Sequence, residues 1–244
     1  MESSKKFALG GTLLLMLIAA GYIAWFIHHR QAEENAPVAS REPELRATDD
    51  QNVYLKQMHM SSLKDAREIN GKRIWMASAD QIMAFAATPS RVNYKQSEGL
   101  LRGAEPIDVV NFIVQKADPV VATRIPEGDN QIVMLFHRAS DSAKLLGTPV
   151  ASHSNGIWNF YIDNMVFYED PHKLYEHWGP QVWDAVDHHR VINGMTERAV
   201  GLAIGQITTS GGGTMGDRTA TFLNEGKPIT VTFVKDKATR IEGQ

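Results

Sequence analysis

Hydrophobic positions follow three regimes along the chain. The first is a single uncharged run, Phe7 to Ile27, FALGGTLLLMLIAAGYIAWFI. As a helix rising about 1.5 Å per residue it spans about 31 Å, close to the roughly 30 Å hydrocarbon core of a bilayer. Tyr22 and Trp25 fall near one end, where aromatic rings favour the headgroup level. Lys5 and Lys6 precede the run. The pattern predicts a retained, single-pass anchor over 7–27. It also predicts a cytoplasmic tail over 1–6, the bilayer as one partner, and an inner-membrane protein whose C-terminal part faces the periplasm. A cleaved signal peptide fits less well, because its apolar region runs only about 7–15 residues.

Residues 28–52 form a second regime, rich in Glu, Pro, Ala, Asp and Arg and poor in large apolar side chains. This composition predicts a linker. A short helix is expected within Val53–Glu68.

The third regime begins near Gly71 with period-two runs rich in β-branched and aromatic residues. Arg73–Ala77, Ile107–Gln115, Val120–Ile125, Gln131–Arg138 and Thr148–Ser152 read as short strands bounded by turn formers. Residues 53–155 are therefore expected to be a β-rich segment, a small barrel or sandwich. Trp158–Ile162 and Met165–Tyr168 read as a hairpin around Asp163-Asn164. From Asp170-Pro171 the spacing of apolar residues changes to three and four. Asp170 can cap free N–H groups, and Pro171 suits a first helical position. Val182, Trp183 and Val186 make one helical stripe. Thr196 can cap a further helix, Glu197–Ile204, ended by Gly205. Arg218–Leu223 and Pro228–Val234 read as an antiparallel hairpin. Residues 156–244 are thus an expected α+β module, and the whole chain an α+β protein: transmembrane helix, β-rich segment, then helix-helix-hairpin.

Within that last segment, Gly194-Met195-Thr196, Val200, the helix-ending Gly205 and Ile229-Thr230-Val231-Thr232-Phe233 resemble the SmpA/OmlA (BamE-like) module of outer-membrane assembly over roughly residues 191–241. The resemblance implies a small α+β protein-interaction module facing the periplasm. The chain departs from the family in having no lipidated cysteine and Gln206 where a nearby proline is usual.

Composition narrows the chemistry. The 244 residues contain no cysteine, which removes disulfides, thiolate nucleophiles and cysteine-based zinc sites. The net charge of −3 and the lack of a Lys/Arg cluster argue against nucleic acid as a partner. No G-x-S-x-G elbow or P-loop occurs, and the Gly-rich stretch 208–217 lacks the P-loop lysine. No catalytic residue and no cofactor is therefore assigned.

Two sets of side chains remain. His172, Glu176, His177, Asp184 and His188 are candidate metal ligands, since imidazole and carboxylate together bind zinc-like ions. His172 and Glu176, like Asp184 and His188, share a helix face by spacing of four; His172 and His177 do not. Trp158, Tyr168, Tyr175 and Trp178 belong to an aromatic cluster that could anchor a partner or a glycan. The favoured expectation is a membrane-anchored envelope protein acting as a scaffold or assembly factor toward another envelope protein, and not an enzyme. A metal-dependent enzyme or binder using residues 172–189, and a peptidoglycan-binding module, are the alternatives.

Overall fold

A computed structural model describes residues 21–26, 49–77, 82–118 and 130–244. The chain divides into two compact units, 1–48 and 49–244. Of the first, residues 21–26 are helical, with the exposed Tyr22 ring near Trp25 and Phe26. The single-pass anchor expected over Phe7–Ile27 is corrected here: among the described residues, no helix is long and apolar enough to cross a membrane. The rest of that run, the tail 1–6 and the linker up to Thr48 lie outside the described residues, as does the expected strand Val120–Ile125. The single-pass topology and the inner-membrane placement rested on that anchor, and they are corrected with it.

The α+β class is corrected as well. Strands take 46% of the described residues and helices 23%, so the fold is mostly β, built on two antiparallel sheets. The helices stay short because Gly and Pro punctuate them. They are α1 (Leu63–Ala66), α2 (Pro171–Leu174), α3 (Gly179–Asp187) and α4 (Glu197–Ile204).

The large sheet contains β1 (Arg73–Met76), β2 (Met83–Thr88), β3 (Arg91–Leu100), β4 (Pro106–Lys116), β5 (Asn130–Arg138), β6 (Asp141–Ser154), β7 (Ile157–Phe160) and β8 (Val166–Phe167). Its order is β3-β2-β6-β5-β4-β1-β8, with β7 added to β6. The expected hairpin around Asp163-Asn164 does not form. β7 pairs with β6 and β8 with β1, and a 3-10 turn, Ile162–Asn164, separates them. β5 is buried on both faces, which is why its centre, Ile132–Phe136, is an unbroken apolar run. Side chains alternate across a strand. Val133 and Leu135 therefore join Phe85, Val92 and Tyr94 in one cluster, while Ile132, Met134 and Phe136 join Ile74, Met76, Phe112 and Val150 in another. The sheet curls until β3 approaches β4. There the Gln115 side-chain amide accepts from Val92 N–H at 2.7 Å and donates to Val92 C=O at 3.0 Å, standing in for a strand partner.

The small sheet is a meander, β12-β11-β10-β9, of β9 (Ile207–Ser210), β10 (Thr219–Asn224), β11 (Lys227–Val234) and β12 (Lys237–Glu242). Ala220, Phe222, Ile229, Val231 and Phe233 face Trp183, Val186, Val200 and Ile204 of α3 and α4. The outer face carries threonine pairs across β10 and β11, Thr219–Thr232 and Thr221–Thr230, with hydroxyls 3.0 and 2.9 Å apart.

Three features join the two sheets. Residues 101–105, between β3 and β4, press against α4 so closely that a Cβ on Gly103 would stand 1.9 Å from the Leu202 carbonyl oxygen. Arg102 pairs with Glu225 in the β10–β11 turn. Finally, residues 49–62 form a strap across both cores. Val53 and Leu55 pack on the small-sheet core, and Met58 and Met60 on the large-sheet core. The strap ends at Ser62, which caps α1 in a reciprocal box with Asp65.

Candidate functional site

The helical segment between the sheets holds most of the chemistry-bearing residues, and its local folding follows from its caps. Asp170 accepts from His172 N–H, and Pro171 opens α2. Thr196 accepts from Ala199 N–H at the start of α4.

The five candidate metal ligands are dispersed over this frame. His172 stands between two carboxylates, Asp170 at 3.0 Å from Nδ1 and Asp187 at 3.2 Å from Nε2, and stacks on Trp183 at 4.1 Å. His177 turns away and places Nε2 2.6 Å from Asp50. Asp184 and His188 pair at 3.2 Å, and Arg190 shares the Asp184 carboxylate at 2.7 Å. Glu176 is exposed and joins none of these sets. Among the described residues, no group of three or more His, Asp or Glu side chains is arranged to hold a metal ion.

The aromatic candidates divide between the two cores. Tyr175 is fully buried, and Trp178 stacks on it at 4.5 Å with its indole N–H donating to Asp50 at 2.6 Å. Trp158 is half-buried against His153, and the Tyr168 hydroxyl donates to Asp163 at 2.7 Å. These four rings do not share one exposed face.

Sequence reasoning missed the residue that organises the segment. Asp50 lies in a 3-10 turn, Asp49–Asn52, and its buried carboxylate also accepts from the Thr196 hydroxyl at 2.6 Å. One carboxylate thus fixes the strap to α4 and to the turn that precedes α3. Its partners are more than a hundred residues away in sequence, so no local pattern signals it. A second buried acid, Glu197, takes the Gly216 N–H at 2.8 Å and the Arg218 guanidinium, and its own N–H donates to Asp236 at 3.1 Å. Asp236 is pushed above the usual carboxylate range. Burial is the largest cause, the bond from Glu197 N–H opposes it, and the negative charges of Asp50 and Glu197 add to it. Glu197 therefore ties the 211–217 loop to the start of α4.

Beside this network runs an open groove of about 380 Å³. Leu202 of α4 and Phe222 of β10 line it, and Met215 stands at its edge, 59% exposed. Gly201 lines it too, although a Cβ there would meet nothing within 4 Å. Ile207, at the start of the edge strand β9, closes one end. The Arg198 guanidinium, held by the Tyr175 hydroxyl at 3.1 Å, marks the polar rim. Comparison of this chain with family models, curated proteins and solved structures finds no match.

Proposed function

We propose that this chain is a protein-interaction module, a scaffold or assembly factor that captures an extended segment of a partner in the groove between α4 and β9. The observation that supports this reading is the apolar groove laid beside an unpaired strand edge. β9 ends the small sheet, so one side of its backbone has no strand partner among the described residues. An extended segment added there gains main-chain hydrogen bonds and can seat a side chain between Leu202 and Phe222. Gly201 leaves space above the helix at a cost of about 1 kcal/mol in helix propensity relative to alanine. Met215 supplies the adaptable, polarizable contact common at such surfaces. The likeness of residues 191–241 to the SmpA/OmlA module supports the same reading. The histidines lend no support to a catalytic alternative, because they are divided among separate intramolecular partners.

A photo-crosslinking residue placed at Met215 in living cells tests the proposal. One dominant protein adduct is expected, and it should vanish in Gly201→Leu, which fills the groove where space is open. Adducts that persist in Gly201→Leu, or none at Met215, would refute the groove as the site.

A further inference from the structure

A second surface stands apart from that groove, at the opposite end of the molecule's strand inventory. β3 is the edge strand of the large sheet. Its pairing with β2 jumps from Ala87↔Val92 to Phe85↔Ser97, so residues 93–96 bulge from the β2 ladder, and within the bulge the Lys95 N–H donates to Asn93 Oδ1 at 3.2 Å. Their other side faces a cleft of about 740 Å³, walled by β3 and the end of β4. This volume lies within the roughly 300–1,000 Å³ usual for binding clefts.

The cleft is rigid underneath and charged above. Gln115 is committed to both backbone groups of Val92, and the Tyr94 hydroxyl donates to the buried Gln131 at 2.9 Å. Arg91, Lys95 and Lys116 stand exposed on the walls, and none has an ion-pair partner among the described residues. Among the described residues that line the cleft, Asp118 is the one carboxylate against three cations, on a chain whose net charge is −3. At about 3.3 Å per residue, Arg91 and Lys95 are up to roughly 13 Å apart along β3, the length of about four residues of an extended chain. An extended chain with carboxylates on alternate residues meets this spacing.

We infer that the β3–β4 cleft binds an acidic segment of a partner protein in extended conformation. The segment lies along residues 93–96 and places carboxylates against Arg91, Lys95 and Lys116. Main-chain bonds to the edge strand supply attachment, and the cations select an acidic sequence. The inference rests on residues separate from the α4–β9 groove and survives or fails independently of it. A competing use of the same side chains is known for sheet edges in general: lysines there discourage edge-to-edge pairing between copies.

The test uses the full chain and a fluorescein-labelled heptapeptide alternating Glu and Thr, read by fluorescence anisotropy. Saturable binding is expected, weakened about tenfold or more when Gln replaces every Glu, and similarly by the triple variant Arg91→Glu, Lys95→Glu, Lys116→Glu. A peptide with Pro for Thr, which cannot donate main-chain bonds, should bind more weakly at equal charge. Gly201→Leu should leave binding unchanged. A circular dichroism melt of the triple variant that matches wild type establishes that these exposed changes leave the fold intact. The inference is overturned by equal binding of the Gln peptide, by full competition from inorganic phosphate at the peptide's own concentration, or by a folded triple variant that binds as wild type. It is also overturned if the acidic peptide does not bind and the triple variant self-associates, the result expected of an edge guard alone.

Discussion

In the large sheet, β5 buries side chains on both faces, and its neighbours β4 and β6 extend the pairing over most of their length. In the small sheet, only one face is covered, by α3 and α4, while the other exposes paired threonines to solvent. The first region is held by strand on strand and the second by helix on strand. The large sheet combines the hairpin neighbours β2–β3, β4–β5 and β5–β6 with the distant pairs β2–β6, β1–β4 and β1–β8, so a hairpin cannot leave it without breaking distant pairs as well. The small sheet is a local meander with little sequence separation between neighbours, and it relies on its helices and on the strap for cover. Each sheet also ends in an edge strand beside a cavity, and the two cavities differ in character. The one beside β9 is apolar, and the one beside β3 is cationic.

The largest expected effect probes whether this contrast reaches the energetics. Phe136→Ala empties a fully buried site at the centre of β5 and should cost about 3–5 kcal/mol. Phe222→Ala makes the equivalent change in the small sheet. If strap and joint couple the sheets, both variants keep one cooperative transition by far-UV and near-UV circular dichroism. Two separated transitions in Phe222→Ala alone would mean that the small sheet melts first and that the coupling is weak.

Gly103→Ala addresses the joint itself. The added Cβ meets the Leu202 carbonyl, a backbone atom that cannot rotate aside, so α4 or the 101–105 loop must shift. A loss of about 2–3 kcal/mol in chemical denaturation is expected. A near-neutral result would show that the two regions move freely against each other.

The smallest effect separates the regions by acid. Burial alone would raise the Asp163 carboxyl. The bonds from the Tyr168 hydroxyl and the Met58 and His59 N–H groups outweigh that and hold it below the ordinary range. A carboxyl lowered by folding stabilises above its unfolded pKa of about 4 and loses that contribution as pH falls through the folded value. Asp236 has the opposite sign: its folded pKa is raised, so its favourable contribution is present at low pH and fades as pH rises through that value. Asp163→Asn should therefore cost about 1 kcal/mol at pH 7 and nothing near pH 2. Asp236→Asn should lose least at neutral pH and most in acid. Urea titrations across pH 2–7 that give the same slope for both variants would contradict these assignments.

Local signals in the sequence were readable, and distant ones were not. Asp170 and Thr196 cap the helices that their positions announce, because a cap acts on N–H groups two or three residues away. The unbroken apolar run of β5 reports burial on both faces for an equally local reason. Trp158–Tyr168 misled because two short apolar runs around an Asn look like a hairpin, whereas β7 and β8 find β6 and β1 instead. The anchor reading weighed the length and hydrophobicity of the run, the aromatics Tyr22 and Trp25, and the flanking Lys5 and Lys6. Of the candidate site, the histidines were visible as a composition, but their partners Asp50 and Asp187 were set by the fold. The Gln115–Val92 pairing and the open space over Gly201 have no sequence signature at all, since any surface position can hold a Gln or a Gly.

The strap also orders events in time. Residues 49–62 leave the ribosome before any of the groups that hold them: Asp50 waits for residues 127, 128 and 146 positions later, and the Met58 and His59 amides for Asp163. Closing loops of that length is favourable only once the distant surfaces already exist. Of residues 49–244, the segment made first is therefore the last to dock, and until it does the rims of both cores stay uncovered. Strap docking is the step that distinguishes a finished molecule from one that a chaperone or a protease can still engage.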